Sequence, residues 1–382
     1  MKILYHHRTL SDGAEGIHIQ EMCVAFQKLG HKMILTGPAV NKSSRGKFSL
    51  LKRLIRGPLY ELMEMGYNIA GIINLARLIK RHRPDMIYDR YMIYNISSVL
   101  AGQMFKIPTF TEINAPLAYE RSFERDEKLY FKTIAFLMEK WIVEKSYKAV
   151  VVSTPLKRYF LEKDIPDRQL VVLPNGVNIE KFKSTDNRKK ILTAHNISVS
   201  SKIIGFTGIL RPWHGIELLL KAFKNVREEV KDITLLMVGD GPDMDPIYRQ
   251  IETLDLKDSV VITGRVPHDR VPAYINAFDI AVSPKTTFYA SPMKIPEYMA
   301  LKKCIVAPDT ENIRDLLQPG ETGVLFEPES PLSLSKALIH LLEDAELREK
   351  IGSRAHEAVK FKTWESNANK VIDIYNGCAD EK

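Results

Sequence analysis

Two doubly wound α/β domains in tandem are what this sequence predicts, on three observations. The chain has 382 residues, beyond the roughly 250–300 at which one hydrophobic core stops growing. Short apolar, β-rich runs alternate with amphipathic helical stretches, and the alternation runs through twice. The apolar runs lack a clean in-out alternation, as parallel strands buried on both faces do.

In the first half, Ile3 to His6, Met33 to Thr36, Met86 to Tyr88, Thr109 to Glu112, Val150 to Ser153 and Val171 to Leu173 read as strands. Ile17 to Leu29, Tyr67 to Arg81, Leu129 to Ser146 and Leu156 to Lys163 read as helices between them. A polar stretch from about Glu180 to Ser200 separates the halves. Ile203 to Thr207, Leu235 to Gly239, Val260 to Thr263, Ile280 to Ser283, Cys304 to Ala307 and Gly323 to Phe326 form the second strand set. The expected division is 1–178 and 179–363. The last helix, Trp364 to Asn376, suits either domain by its pattern, and 364–382 is expected to pack back on the first.

Apolar residues at 45% and charged residues at 27% describe an ordinary globular chain. Cys23, Cys304 and Cys378 are scattered and odd in number, which argues against a disulfide framework or zinc site and for a reducing compartment. MKILYHHRTLSDG turns polar too early for a signal peptide, and no apolar run of about 18 residues suggests a membrane span; the expectation is a cytoplasmic protein. The formal charge is +8, and the segment from Lys42 to Arg83 carries an excess of that size, ten basic residues against Glu61 and Glu64. Leucines and isoleucines interleave with them, which suits an anionic membrane surface at the inner face or a helix packed with a solvated basic side. No nucleic-acid motif accompanies the charge.

Glycine loops follow the strands. In TLSDGAEGIHIQE, Gly13 and Gly16 allow a close-approach loop before a helix whose first turns hold His18 and Glu21. The spacing is not G-x-G-x-x-G, which disfavours a dinucleotide-dependent dehydrogenase. TGILRPWHG offers Arg211 and His214 between Gly208 and Gly215, where a guanidinium can fork onto phosphate and glycine lets the backbone come near. VGDGPD, with Gly241, and ITGRVPH, with Arg265 and Val266, are two more. In SPMKIPEYMA, Ser291 reads as an N-cap and Pro292 as the first helical residue, which places Lys294 and Glu297 on one face. Taken alone, K-x-x-E reads as a surface ion pair. With four loops at corresponding strand ends it becomes part of a phosphate- and sugar-binding constellation.

The ordered set DGAEGIHIQE…LGHKMIL, VVLPNGVNIEKF, FTGILRPWHGIELLLKAF, LLMVGDGP, VVITGRVPHDRVPAYINAFDIAVSP, SPMKIPEYMALKKCIVA and NIRDLLQPGETGVLFEP resembles the retaining GT-B glycosyltransferases of family four, which include sucrose synthases and bacterial mannosyltransferases. The resemblance implies two Rossmann-like domains facing an interdomain cleft, the acceptor on the first and a nucleotide sugar on the second. It implies sugar transfer with retention of configuration (EC 2.4 class), from a UDP- or GDP-sugar to a glycan or lipid-linked acceptor, in polysaccharide or glycolipid synthesis. No metal or other cofactor is expected. Glu297 would bond the ribose, basic residues of the TGILRPWHG loop the diphosphate, and the Arg265–Pro267 backbone the base.

The family pattern would place arginine at Ile209, lysine at His214 and glutamate at Tyr289. Arg211 is expected to take over the phosphate fork, His214 to be a pH-dependent cation, and Lys294 to supply charge at the leaving diphosphate. Lys294 and Arg211, with the Gly16 loop and the helix after Ser291, meet the negative charge as it grows. His18 and Glu112 complete the catalytic candidates, with helix capping or core packing as their alternatives. Asn114 in FTEINAP and Tyr289 are the acceptor-side candidates. Competing readings are a non-catalytic nucleotide-sugar-binding subunit, a sugar-nucleotide epimerase, and a metal-dependent transferase using DMD, Asp243 to Asp245.

Overall fold

The computed structural model describes residues 1–9, 13–38, 57–124, 129–183, 187–242 and 244–377. The chain divides into one unit of Met1–Pro174 with Trp364–Lys382 and a second of Asn175–Thr363.

The first unit is a parallel sheet of β1 (Lys2–His6), β2 (Lys32–Thr36), β3 (Met86–Arg90), β4 (Thr109–Ile113), β5 (Lys148–Val151) and β6 (Leu170–Val172), in the order β2-β1-β3-β4-β5-β6. The second has β7 (Lys202–Thr207), β8 (Ile233–Val238), β9 (Val260–Ile262), β10 (Ile280–Val282), β11 (Cys304–Pro308) and β12 (Val324–Phe326), in the order β12-β11-β10-β7-β8-β9. Each expected strand is present, within two residues at either end. The apolar runs are continuous because helices cover both faces; all six residues of β8 are buried. Strand order reverses beside β1 and β3 in the first sheet and beside β7 and β10 in the second. Such switch points leave a crevice at the carboxyl ends of the strands.

The polar stretch before β7 belongs to the second unit. It contains a helix, Arg188–Ala194, and Phe182, Ile191, Leu192 and Ile197 are buried in the second core. Polar composition concealed these few anchors. The C-terminal helix Trp364–Gly377 packs on helix Ala14–Lys28, with the Trp364 ring 4.6 Å from that of His18 and Lys28 paired with Glu365.

Candidate functional site

In the second unit the loops after β7 and β8 meet closely. Gly208 N donates to Val238 O at 3.0 Å and Leu210 N to Asp240 O at 2.7 Å. Gly239 has φ +144°, and a Cβ there would lie 2.0 Å from the Gly208 carbonyl oxygen; one on Gly241 would lie 2.1 Å from that of Leu210. Only glycine permits this approach.

Lys294 reaches this junction from the far side of the switch point. Its Nζ stands 4.0 Å from the Phe206 ring centroid and 3.1 Å from where a Cβ on Gly208 would be. The ammonium is buried and has no hydrogen-bond partner among the described residues. Burial pulls its pKa down to about 7, against the opposing pull of Glu297. This is not an exposed ion pair.

His214 Nδ1 donates to the Ile209 carbonyl. Burial and then the Lys294 charge push its pKa down to about 3, although the Ile209 bond acts in the opposite direction. His214 is therefore a neutral imidazole at ordinary pH and not the pH-dependent cation expected. The physical reason is burial first, which disfavours the charged imidazole, and then the neighbouring Lys294 charge. Arg211 is half-buried, its guanidinium 4.8 Å over the exposed Trp213 ring.

The local reading of SPMKIPEYMA needs correction. The helix is Lys294–Ala300, with Met293 at its N-cap, and Ser291 and Pro292 precede it. Ser291 Oγ is taken by the backbone N–H of Asn175 at 2.9 Å, while Asn175 Nδ2 donates to the Ser291 carbonyl at 2.7 Å. A hydroxyl so committed does not cap. Asn312 Nδ2 pins the same loop through the carbonyls of Thr287 (3.1 Å) and Ala290 (2.7 Å). Glu297 is buried, its Oε1 3.2 Å from His268 Nε2. Tyr298 OH bonds Thr207 N at 2.8 Å and fastens this helix to the end of β7. Arg265 is exposed, Val266 packs on the core, and Tyr289 is buried against Phe288 in this second unit. Sequence reasoning missed Asn175, His268, Tyr298 and Asn312. Asn175 lay inside VVLPNGVNIEKF, but only its long-range bonds reveal its work.

In the first unit, Glu112 is the centre of a buried network. His18 Nε2 lies 2.9 Å from its Oε2, Arg90 2.6 Å from Oε1, and Asn114 Nδ2 donates to Oε1 at 2.6 Å. Tyr88 OH donates to Oε2 at 3.1 Å and Tyr5 OH at 3.4 Å. Burial alone would raise the carboxyl pKa, but His18 and Arg90 outweigh it and hold it at about 2. His18, Glu112 and Asn114 thus come together, with His18 an ion-pair member and not a helix cap. Gly16 does not lie in a loop: the helix begins at Ala14 and takes Gly16 into its first turn.

Beside this network, at the β1/β3 switch point, His6 pairs with Asp89 at 2.6 Å and Ser98 Oγ lies 2.7 Å from the same carboxylate oxygen. Asp89 Oδ2 and Asn95 Nδ2 are buried without a partner among the described residues. None of these was found from sequence; the register that sets His6 beside Asp89 leaves no local signal.

Asp243 and the basic positions from Lys42 to Arg56 lie outside the described residues. Among those described, no group of three or more His, Cys, Asp or Glu could hold a metal ion, and no helix is long and apolar enough to cross a membrane.

Residues 15–181 match the family model Glycosyltransferase Family 4, and residues 187–358 match Glycosyl transferases group 1. An uncharacterized glycosyltransferase of Methanocaldococcus jannaschii is 26% identical over 248 residues, 64% of this chain and 61% of the relative. A phosphatidyl-myo-inositol mannosyltransferase of Mycobacterium leprae is 26% identical over 236 residues, 62% of this chain and 60% of the relative. The chain thus spans about three fifths of the length of either relative. The crystal structure of Anabaena HepE in complex with UDP superimposes with a TM-score of 0.75 at 16% identity, over 99% of this chain and 100% of the other; that likeness is one of fold.

Proposed function

This chain belongs to the GT-B glycosyltransferases of the group 1 and family 4 type, and from that premise we propose that it transfers a sugar from a nucleotide sugar to a glycan or lipid-linked acceptor with retention of configuration. The observation that carries this is the Lys294 ammonium, buried where two glycine loops meet and without a hydrogen-bond partner among the described residues. An orphan cation in low dielectric is costly unless an anion completes it, and a diphosphate has the charge to do so. Arg211 adds the planar fork. As the sugar–phosphate bond breaks, these cations meet the charge growing on the departing oxygen. The leaving phosphate then takes the acceptor's proton. That assignment suits the first unit, where Glu112, held near pKa 2, is a poor base at neutral pH.

No metal is required on this reading. In the presence of EDTA, UDP or GDP is expected to raise the melting temperature, since a ligand at about 100 times its Kd adds about 2.7 kcal/mol. No shift with UDP, GDP or ADP would refute the nucleotide site, and a shift requiring manganese would favour the metal-dependent reading. Binding without turnover would mark a nucleotide-sugar-binding subunit, and an epimerised donor an epimerase.

The acceptor reading extends to location: a peripheral enzyme on the cytoplasmic face of an anionic membrane, acting on lipid-linked glycan. Helix Pro58–His82 supports it. Glu61, Asn68, Gly71, Leu75 and Ile79 form its buried side. Leu59, Leu62, Ile69 and Ile73 are exposed, and so are Arg77 and Lys80. At about 100° per residue these six share one sector roughly 80° wide, an apolar stripe ending in cations. Such a stripe suits the boundary between headgroups and acyl chains. Sedimentation with anionic vesicles at low salt is expected to carry the protein down, with release by high salt. Leu62→Ser with Ile69→Ser and Ile73→Ser should leave it in the supernatant. Wild-type protein remaining in the supernatant would exclude the membrane part and favour a soluble acceptor.

A further inference from the structure

We propose that His268 is a positioning residue for nucleoside recognition, holding one oxygen of Glu297 so that the other faces the ribose. This rests on the reading of the second unit as a nucleotide-sugar site and assigns a role to a side chain outside the phosphate-facing loops.

His268 opens the single 3-10 turn His268–Arg270 after β9, whereas Glu297 lies on helix Lys294–Ala300 after β10. β7 and β8 separate those strands in the sheet, so the contact spans the carboxyl ends of two strands. The 3.2 Å separation of His268 Nε2 from Glu297 Oε1 allows an Nε2–H donor to fix that oxygen. Phe182, itself buried, packs edge-on against the imidazole with centroids 5.7 Å apart. The ring is thus braced from behind. Glu297 Oε2 accepts from no described residue and is not among the fully occluded atoms.

Charge decides which part of the ligand that oxygen meets. A carboxylate repels diphosphate, which the Lys294 side of the same helix attracts. Uncharged hydroxyls donating to a carboxylate are the complementary group, and a nucleoside carries them on its ribose. A carboxylate already held through one oxygen loses less freedom when the other binds.

The test is calorimetric titration of the full chain with UDP, GDP and ADP, their 2′-deoxy and 3′-deoxy forms, and pyrophosphate. Wild type should prefer the ribonucleotide by about tenfold over at least one deoxy form. His268→Phe keeps a ring against Phe182 but removes the donor; it should cut that ratio about fivefold while pyrophosphate affinity stays within about twofold. His268→Gln, whose amide nitrogen can reach the place of Nε2, should restore most of the ratio. A ratio undiminished in His268→Phe would overturn the role of His268 alone. Wild type binding none of the three nucleotides would instead refute the second unit as a nucleotide site.

Discussion

Lys294→Met is expected to do two opposite things: raise the melting temperature of the ligand-free protein and abolish most nucleotide binding. The ammonium is buried without a hydrogen-bond partner among the described residues, so its removal relieves a desolvation cost of about 1–3 kcal/mol. That cost depends on pH. With the folded pKa depressed to about 7 and the unfolded one near 10.4, the unfolded state binds more protons between those values. Stability from this group therefore rises with pH from about 7 to about 10, and the gain in Lys294→Met should shrink over the same window. Binding runs the other way. A diphosphate favours the charged form, so above pH 7 nucleotide binding takes up a proton and affinity falls by up to about tenfold per pH unit until the pKa of the complex is reached. Calorimetry of UDP or GDP binding in buffers of different ionisation enthalpy reads the uptake directly. The variant should lose it, together with about tenfold or more in affinity at pH 6.5. Buffer-independent heats in the wild type, with undiminished binding in Lys294→Met, would remove Lys294 from the site.

Glu112→Gln is expected to destabilise the first unit by about 3–5 kcal/mol, because it leaves Arg90 and His18 buried without their counter-charge. Both face the same carboxylate, which is 2% exposed. The sign with pH follows from a folded pKa held at about 2, below the unfolded value of about 4.3. The stabilisation is fully present above the unfolded value and is lost as pH falls through the folded one, so acid unfolding should begin at higher pH in the variant. Urea unfolding at pH 7 and pH 4 measures both effects. Nucleotide-induced stabilisation of the second unit should survive. A variant of normal stability with no transferase activity would reverse this assignment and make Glu112 a catalytic base.

The two predictions mark different kinds of legibility. Lys294 and Glu297 stand in one short stretch that reads alone as a surface ion pair and becomes a candidate ligand site only beside the glycine loops at the neighbouring strand ends. Their burial, and the His268 contact at 29 residues' distance, are invisible there. Glu112 and Asn114 were visible as polar residues at the end of β4. Their role was not, because Tyr5, Tyr88, Arg90 and His18 arrive from three other elements.

By itself the sequence determined the two parallel sheets, their strands and the glycine-lined strand ends, because hydrophobic periodicity and turn chemistry act over a few residues. Tertiary structure alone decided that Ser291 serves Asn175 instead of a helix, and that Phe182 and Ile191 anchor a polar stretch to the core. It also decided that Lys294 is buried with no hydrogen-bond partner among the described residues, that His214 is neutral, and that Glu112 is a paired anion. The physical reason is common to these cases: charge state and hydrogen-bond commitment depend on dielectric and on partners brought from distant strands, which no local pattern encodes.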